Sequence, residues 1–247
     1  MDDFKELSKA VKLYAEKVQN NVEVVTPKET GVAKMLHIST DNKLKTFTPA
    51  ISKRQADSED RTVPRATVST NILGCMIGYG SLEFDFMVKA AAIEKGDGLY
   101  RGGYVVYGIE YGACLRPNNK LVYDASLSHE HWLVTYSKDT VTYETVPLAK
   151  MFIHTLTQTG RSGDIPISEM DLYVEVFDEE ILFSPGISLK KGYWKIHGPT
   201  QRHVKNYKSD KDYTAKEIDK EKYLEAKTLS ADLLSYQEVK APIYNSW

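Results

Sequence analysis

The sequence has few cysteines and no apolar run long enough to cross a membrane. It contains two cysteines, Cys75 and Cys114, whereas a secreted domain that depends on disulfides usually carries more. We therefore expect both thiols to be reduced and buried. A transmembrane helix needs about 18 or more consecutive apolar residues, and no such run occurs. The start, Met1 to Glu6, also lacks the basic and apolar regions of a signal peptide, so we expect a cytoplasmic protein.

An excess of charge of one sign is also missing. The chain has 32 Lys and Arg against 34 Asp and Glu, which gives a formal net charge of −2. Such a protein has no overall positive field to attract nucleic acid or an anionic membrane. The lysines between residues 205 and 227 alternate with acidic side chains and tyrosines, which is typical of a mixed charged surface. We therefore expect neither nucleic acid nor a membrane as a partner.

The first segment with a clear periodicity is an amphipathic helix at residues 2–20. Apolar side chains recur there at three- and four-residue spacings between lysines and glutamates, which is the period of a helix with one buried face. We expect this helix to form an N-terminal arm. Its apolar face would then bind a protein partner or a second copy of the chain.

The middle of the chain alternates between strand and helix signals. Short apolar strands are predicted at residues 34–39 and 64–69, and the second leads into a helix that Thr70 or Asn71 caps. A β-branched and aromatic strand follows at residues 102–111. These signals predict an α+β protein with a mixed, mainly antiparallel sheet.

The chain divides into three parts in this interpretation. Residues 1–30 are the helical arm and linker, and residues 31–158 are the α+β core domain. A turn-rich stretch from Thr159 to Asp164 marks a boundary. Residues 159–247 then form a C-terminal extension or a small second domain with α/β character.

Two positions stand out as candidates for chemistry. His37 lies among apolar residues on a predicted strand. This position is also typical of a histidine that belongs to the core and has no function in binding or catalysis. In the segment from Ser128 to Trp132, Glu130 lies between His129 and His131, and strand geometry sends the two histidines to one face and Glu130 to the other. This alternation argues against a metal site. A carboxylate that faces a cleft can orient a ribose hydroxyl and stabilise an oxocarbenium ion, whereas the alternative is a solvated glutamate in a turn.

Other nucleotide and phosphate motifs do not fit. Gly78-Tyr79-Gly80 and Gly96-Asp97-Gly98 lack the third glycine of a dinucleotide fingerprint, and there is no Walker-type loop. His37-Ile38-Ser39 and His154-Thr155 have some likeness to the paired motifs of two-histidine phosphoesterases. The second pair does not have the required spacing.

Three segments have the order of one family's layout: a strand with a histidine followed by Ser or Thr, a strand leading into a helix, and a later strand with a glutamate. They are Met35-Leu36-His37-Ile38-Ser39, then Arg65-Ala66-Thr67-Val68-Ser69 with Gly74-Cys75 and Tyr79, then Glu130. In this order they resemble ADP-ribosyltransferase-like domains. The resemblance covers residues 33–157, about half of the chain, and implies NAD as a substrate.

The resemblance also implies a role for each position. Glu130 would be the catalytic residue, which holds the nicotinamide-side ribose and supports the departure of nicotinamide. His37 would bind the adenosine-side ribose, with Ser39 or Thr40 helping to seat it. Thr67 and Tyr79 complete the implied NAD-binding set. The family's stacking tyrosine is replaced here by Thr67, so stacking would come from Tyr79, Tyr104 or Tyr107, or be absent.

Two functions remain open at this stage. The stretch Leu-His-Ile-Ser-Thr-Asp-Asn-Lys-Leu-Lys, which begins at Leu36, is similar to uncharacterised bacteriophage proteins. This likeness implies a phage-encoded ADP-ribosyltransferase or NAD glycohydrolase that acts on a host target in the host cytoplasm. The alternative is a non-catalytic phage interaction protein or virion-associated protein. It would use its scaffold and its N-terminal helix to bind another protein.

Overall fold

The computed structural model describes residues 21–51, 64–79, 103–122, 125–134, 142–162, 165–199 and 213–236. Within these ranges, the side chains of 79, 156–168 and 230–236 are not described. The amphipathic helix expected at residues 2–20 lies outside the described residues.

Strands dominate the described residues. The strands are β1 (Val22–Val25), β2 (Lys34–Ser39), β3 (Thr46–Phe47), β4 (Arg65–Ser69), β5 (Tyr104–Glu110), β6 (Cys114–Pro117), β7 (Glu130–Val134), β8 (Tyr143–Ser162), β9 (Ile165–Val176), β10 (Ile181–Ser184), β11 (Ile187–Leu189), β12 (Gly192–Pro199) and β13 (Thr214–Ile218). The helices in the same part of the chain are α1 (Pro27–Thr30), α2 (Ile72–Tyr79), α3 (Ala125–Ser128) and α4 (Lys220–Tyr236). None of these helices is long and apolar enough to span a lipid bilayer.

One sheet of 11 strands contains all of these strands except β10 and β11, which form a separate hairpin. Its order is β1-β6-β7-β4-β2-β5-β8-β9-β12-β13, and β3 pairs with β8 beside this path. The strand pairs of the described residues are antiparallel throughout. Antiparallel strands do not need the long helical crossovers that connect parallel strands.

The predicted fold class is therefore wrong. In the described part of the chain, neither a mixed sheet nor an α/β C-terminal region is present, because β9, β12 and β13 extend the same antiparallel sheet that contains β2 and β5. β8 also runs through Gly160 to Ser162, with pairs to β9 from Ala149↔Val176 to Ser162↔Ile165. The expected boundary between residues 158 and 159 thus falls inside a paired strand.

The helices cover different parts of the sheet. α2 contributes Ile72, Leu73, Met76 and Ile77 to the largest apolar cluster, which also contains side chains of β2, β5, β8 and β9. α4 packs Tyr223 and Ala226 against Phe152 of β8. α2 therefore lies directly over β2, next to the place where the two halves of the sheet meet.

Candidate functional site

The sheet is almost divided between β2 and β4. Their ladder consists of the single pair Leu36↔Ser69. By contrast, β2 pairs with β5 along its whole length, from Lys34↔Glu110 to Ser39↔Val105, and β4 pairs with β7 from Arg65↔Val134 to Ser69↔Glu130. Two well-paired halves therefore join at one point, and the gap beside that point is the candidate site.

The side chain of His37 crosses this gap. Its Nδ1 lies 3.2 Å from the carbonyl oxygen of Thr67, and its ring packs edge-on against Phe47 with centroids 4.3 Å apart. Burial lowers the pKa of His37 below its ordinary 6.5, against the opposing effect of the Thr67 carbonyl. The imidazole is therefore neutral at pH 7. Because a carbonyl only accepts hydrogen bonds, Nδ1 carries the proton and Nε2 is left as an acceptor.

A cavity of about 100 Å³ lies beside His37, under α2. Its walls include Thr67, Ser69, Gly74 and Glu130. At Gly74, a Cβ atom would lie 2.2 Å from the carbonyl oxygen of Ser128 and 2.2 Å from the Ser69 hydroxyl. Only glycine allows α2 to approach α3 and β4 so closely, so this residue sets the position of the cavity's floor.

Glu130 stands at the start of β7, directly opposite Ser69 of β4. Its side chain is buried, with 7% of its surface exposed. The indole Nε1–H of Trp132 donates a hydrogen bond to its Oε1 at 2.5 Å. Residues two apart on a strand share a face, which is why Trp132 reaches this carboxylate.

The turn before Glu130 is strained. The backbone of His129 has a φ of 46°. This angle lies in the left-handed region, which residues other than glycine seldom adopt. The carbonyl oxygen of His129 accepts a hydrogen bond from Nδ1 of His131 at 2.7 Å. Burial lowers the pKa of His131 to about 4, so its ring stays neutral. The turn thus delivers Glu130 and His131 to opposite sides of β7.

A second, larger cavity of about 690 Å³ lies on the other side of Glu130. Residues of β1, α1, β6 and α3 line it, and the ion pair between Arg116 and Glu23 lies on its wall. Glu130 borders both cavities. A ligand large enough to occupy both would therefore pass this carboxylate.

The structure brings three of the six candidate residues together. His37, Thr67 and Glu130 line the small cavity. Of the others, Ser39 accepts the backbone N–H of Asp41 at 3.0 Å in a local turn, and Thr40 follows β2; neither is among the described residues that line the two cavities. Tyr79 ends α2, and its side chain lies outside the description.

The tyrosines considered for stacking are used elsewhere. Tyr104 lies in the large apolar cluster under α2, and Tyr107 donates its hydroxyl to the carbonyl oxygen of Asp41 at 2.7 Å. Neither borders the cavities described above. The described lining residues of the small cavity include no Phe, Tyr or Trp that could replace the family's tyrosine.

Two other chemistries find no support in the described part of the chain. Cys75 borders the small cavity, but its Sγ donates to the carbonyl oxygen of Leu36 at 3.1 Å, and burial raises the pKa of its thiol to about 12. It is therefore not a thiolate nucleophile. Within the same residues, no group of three or more His, Cys, Asp or Glu side chains is arranged to hold a metal ion.

Sequence reasoning missed Trp132 and Arg65. The guanidinium carbon of Arg65 lies 4.0 Å from the centroid of the Trp132 ring. The spacing of Glu130 and Trp132 was a usable signal, because alternation places them on one face. The position of Arg65 depends on the register of β4 against β7, which no local pattern reveals.

In comparisons with known proteins, no family model, no curated protein and no solved structure matches this chain.

Proposed function

We propose that this protein binds NAD in the gap between β2 and β4, and that Glu130 promotes cleavage of the bond between ribose and nicotinamide. The protein would then be an ADP-ribosyltransferase or an NAD glycohydrolase. The observation that carries the proposal is the position of Glu130, which shares the small cavity with His37 and Thr67 and also borders the large one.

The two cavities suit a ligand with one small and one large end. Ligand pockets usually measure about 300–1,000 Å³, and the large cavity of about 690 Å³ is within this range. The small cavity of about 100 Å³ has room for a single ring. We place the adenosine-side ribose in the small cavity, beside His37, and the nicotinamide half of the dinucleotide in the large one, with the glycosidic bond beside Glu130.

The proposed reaction breaks the bond between ribose C1′ and the nicotinamide nitrogen. The bonding electron pair leaves with nicotinamide, which becomes neutral, and positive charge develops on the ribose. The Glu130 carboxylate stabilises that charge and accepts a hydrogen bond from a ribose hydroxyl. Water or a nucleophile of a target molecule then forms the new bond to C1′ and releases its proton to solvent.

His37 contributes recognition in this scheme. Its Nδ1–H is bound to the Thr67 carbonyl at 3.2 Å, and its lowered pKa keeps Nε2 unprotonated at pH 7. Nε2 is therefore an acceptor for a ribose hydroxyl. Because the imidazole also spans the gap, a ligand bound to it would contact both halves of the sheet.

The proposed setting is a phage-encoded protein that acts on a target in the host cytoplasm. The alternative, a non-catalytic interaction protein that binds a protein partner or its own copy through residues 2–20, stays a prediction, since those residues lie outside the described ones. Deletion of residues 1–20 tests it, because this variant keeps β1 (Val22–Val25) and its pairing with β6. Loss of assembly with an intact core would support the alternative, and an unaltered monomer would contradict it.

The experiment that tests the catalytic proposal is nicotinamide release from NAD by the purified full-length chain. Wild type should release nicotinamide, and Glu130→Gln should remove this activity while the unfolding temperature is preserved. Glu144→Gln is the matched control, because Glu144 is exposed on β8 and the substitution makes the same change of charge. Equal release by wild type and Glu130→Gln would refute the assignment.

A further inference from the structure

Arg65, Trp132 and Glu130 form a continuous row across β4 and β7. The register pairs Thr67 with Trp132 and Arg65 with Val134, so Arg65 and Trp132 are diagonal neighbours on one face of the sheet. Glu130 is two residues before Trp132 on that same face. The backbone therefore fixes the order cation, indole, carboxylate.

Trp132 connects the other two members of the row. Its side chain has 0% of its surface exposed, and a buried indole N–H can only donate. It donates to the carboxyl oxygen Oε1 of Glu130 at 2.5 Å, a short hydrogen bond. The indole thus favours one orientation of the Glu130 carboxyl group.

Arg65 contacts the Trp132 indole through the face of its ring, whereas Glu130 contacts the indole N–H. Its side chain is 5% exposed, and its guanidinium carbon lies 4.0 Å from the indole centroid. A cation over an aromatic face draws on the π electrons of that ring. The N–H of the indole then becomes a stronger donor, because hydrogen-bonding groups in a chain polarise one another in a low-dielectric interior.

The strained turn at His129 adds a second constraint. The backbone φ of His129 is 46°, which is unfavourable for a residue other than glycine. His129 lies directly before Glu130. The hydrogen bond from His131 to the carbonyl oxygen of His129 at 2.7 Å holds the turn in this form. The backbone and the indole therefore restrict Glu130 from two sides.

We propose that Arg65 and Trp132 are positioning residues that hold the side chain of Glu130, which borders both cavities, in one orientation. The role of this carboxylate toward NAD rests on the proposed function, but the positioning itself does not. The other ionisable side chains that border the two cavities in the described residues are Glu23, Glu29, His37, Cys75, Arg116, His129 and His131.

The test follows the indole N–H signals of the full-length protein by two-dimensional proton–nitrogen NMR. Trp132→Phe identifies the Trp132 signal. Trp194→Phe is the matched control, since the Trp194 indole donates to the carbonyl oxygen of Lys190 at 2.8 Å. We expect the Trp132 proton to lie downfield in wild type and to move upfield in Glu130→Gln and in Arg65→Met. Arg65→Lys, which keeps a cation, should recover part of the shift.

NAD binding gives the second readout. Loss of the indole donor should weaken NAD binding about tenfold in Trp132→Phe, as expected when a hydrogen bond to a charged group is removed, whereas Trp194→Phe should bind like wild type. An NMR response without any NAD binding by wild type would support the positioning role and refute the proposed function. A Trp132 signal that does not move in Glu130→Gln or in folded Arg65→Met would overturn the positioning role.

Discussion

The imidazole of His37 on β2 is hydrogen-bonded to the carbonyl oxygen of Thr67 on β4, with 3.2 Å between the two atoms. This contact lies where the backbone ladder between the two strands stops, next to the pair Leu36↔Ser69. A side chain thus replaces the main-chain pairing that would otherwise close the gap. The same histidine therefore supports the sheet and borders the small cavity.

Replacing His37 should separate these two roles. His37→Leu removes the donor to Thr67 and should lower the free energy of unfolding by about 1 kcal/mol, the usual net contribution of a hydrogen bond. His37→Gln keeps an N–H donor and should be less destabilised. Urea unfolding of both variants measures the difference, and equal stabilities for the two would show that the hydrogen bond contributes nothing.

The two glycines of α2 that border the small cavity should respond in opposite ways to alanine. At Gly74 the new Cβ would lie 2.2 Å from the Ser128 carbonyl oxygen, so Gly74→Ala should cost about 1–3 kcal/mol or more through overpacking. At Gly78 the nearest atom would be the Ser128 Cβ at 4.0 Å, and alanine is about 1 kcal/mol better than glycine in a helix.

Chemical denaturation of the two alanine variants is the measurement for this pair. Gly78→Ala should be as stable as wild type or more so, and Gly74→Ala should be clearly less stable. A Gly74→Ala protein with wild-type stability would mean that α2 does not pack on α3 as closely as described.

Acid should destabilise the fold through His131. The pKa of this histidine is about 4 in the folded protein, mainly because of burial, and about 6.5 in an unfolded chain. Above pH 6.5 both states are neutral. As the pH falls from 6.5 toward 4, the unfolded state gains a proton that the folded state does not, so up to about 3 kcal/mol of stability is lost.

His131→Gln removes this titration and should give a shallower dependence of unfolding free energy on pH between 7 and 4.5. Urea unfolding at several pH values measures the slopes. The pKa values of His37 and His154 are also lowered. These two histidines therefore still make the unfolding free energy of the variant depend on pH. Identical slopes for variant and wild type would contradict the buried, neutral state of His131.

The cysteines should be inert while the protein is folded. Burial raises the pKa of the Cys75 thiol to about 12 and raises that of Cys114 further, and thiolates are the reactive form. A thiol reagent at pH 8 should therefore label neither residue in the native protein and both in urea. Rapid native labelling that Cys75→Ser abolishes would contradict the described packing of Cys75 against Leu36.

Local patterns predicted individual elements well. The strand at residues 34–39 and the strand at residues 102–111 appear as β2 and β5. The cap before α2 is also present, since the Asn71 side-chain oxygen accepts the N–H of Gly74 at 2.7 Å. These features depend on alternation and capping between neighbours in the chain, which a single sequence contains.

Long-range pairing was the part that sequence could not provide. The segment Thr159 to Asp164 has the composition of a linker, yet Gly160 and Arg161 pair with β9, and the later strands extend the sheet. The contact of Arg65 with Trp132 likewise depends on the register between β4 and β7. Alternation correctly predicted that Glu130 and His131 face opposite sides of a strand, but His129, which was expected on the same face as His131, lies in the turn before β7.

The most direct test of the account is the thermal unfolding of the full-length protein at increasing NAD concentration. Binding at about 100 times the dissociation constant should stabilise the fold by roughly 2.7 kcal/mol, seen as a saturable rise in unfolding temperature. The rise should disappear in His37→Ala. It should remain in the control His197→Ala, because His197 is an exposed histidine on β12. A flat response at millimolar NAD, or an undiminished rise in His37→Ala, would contradict the placement of NAD in this gap.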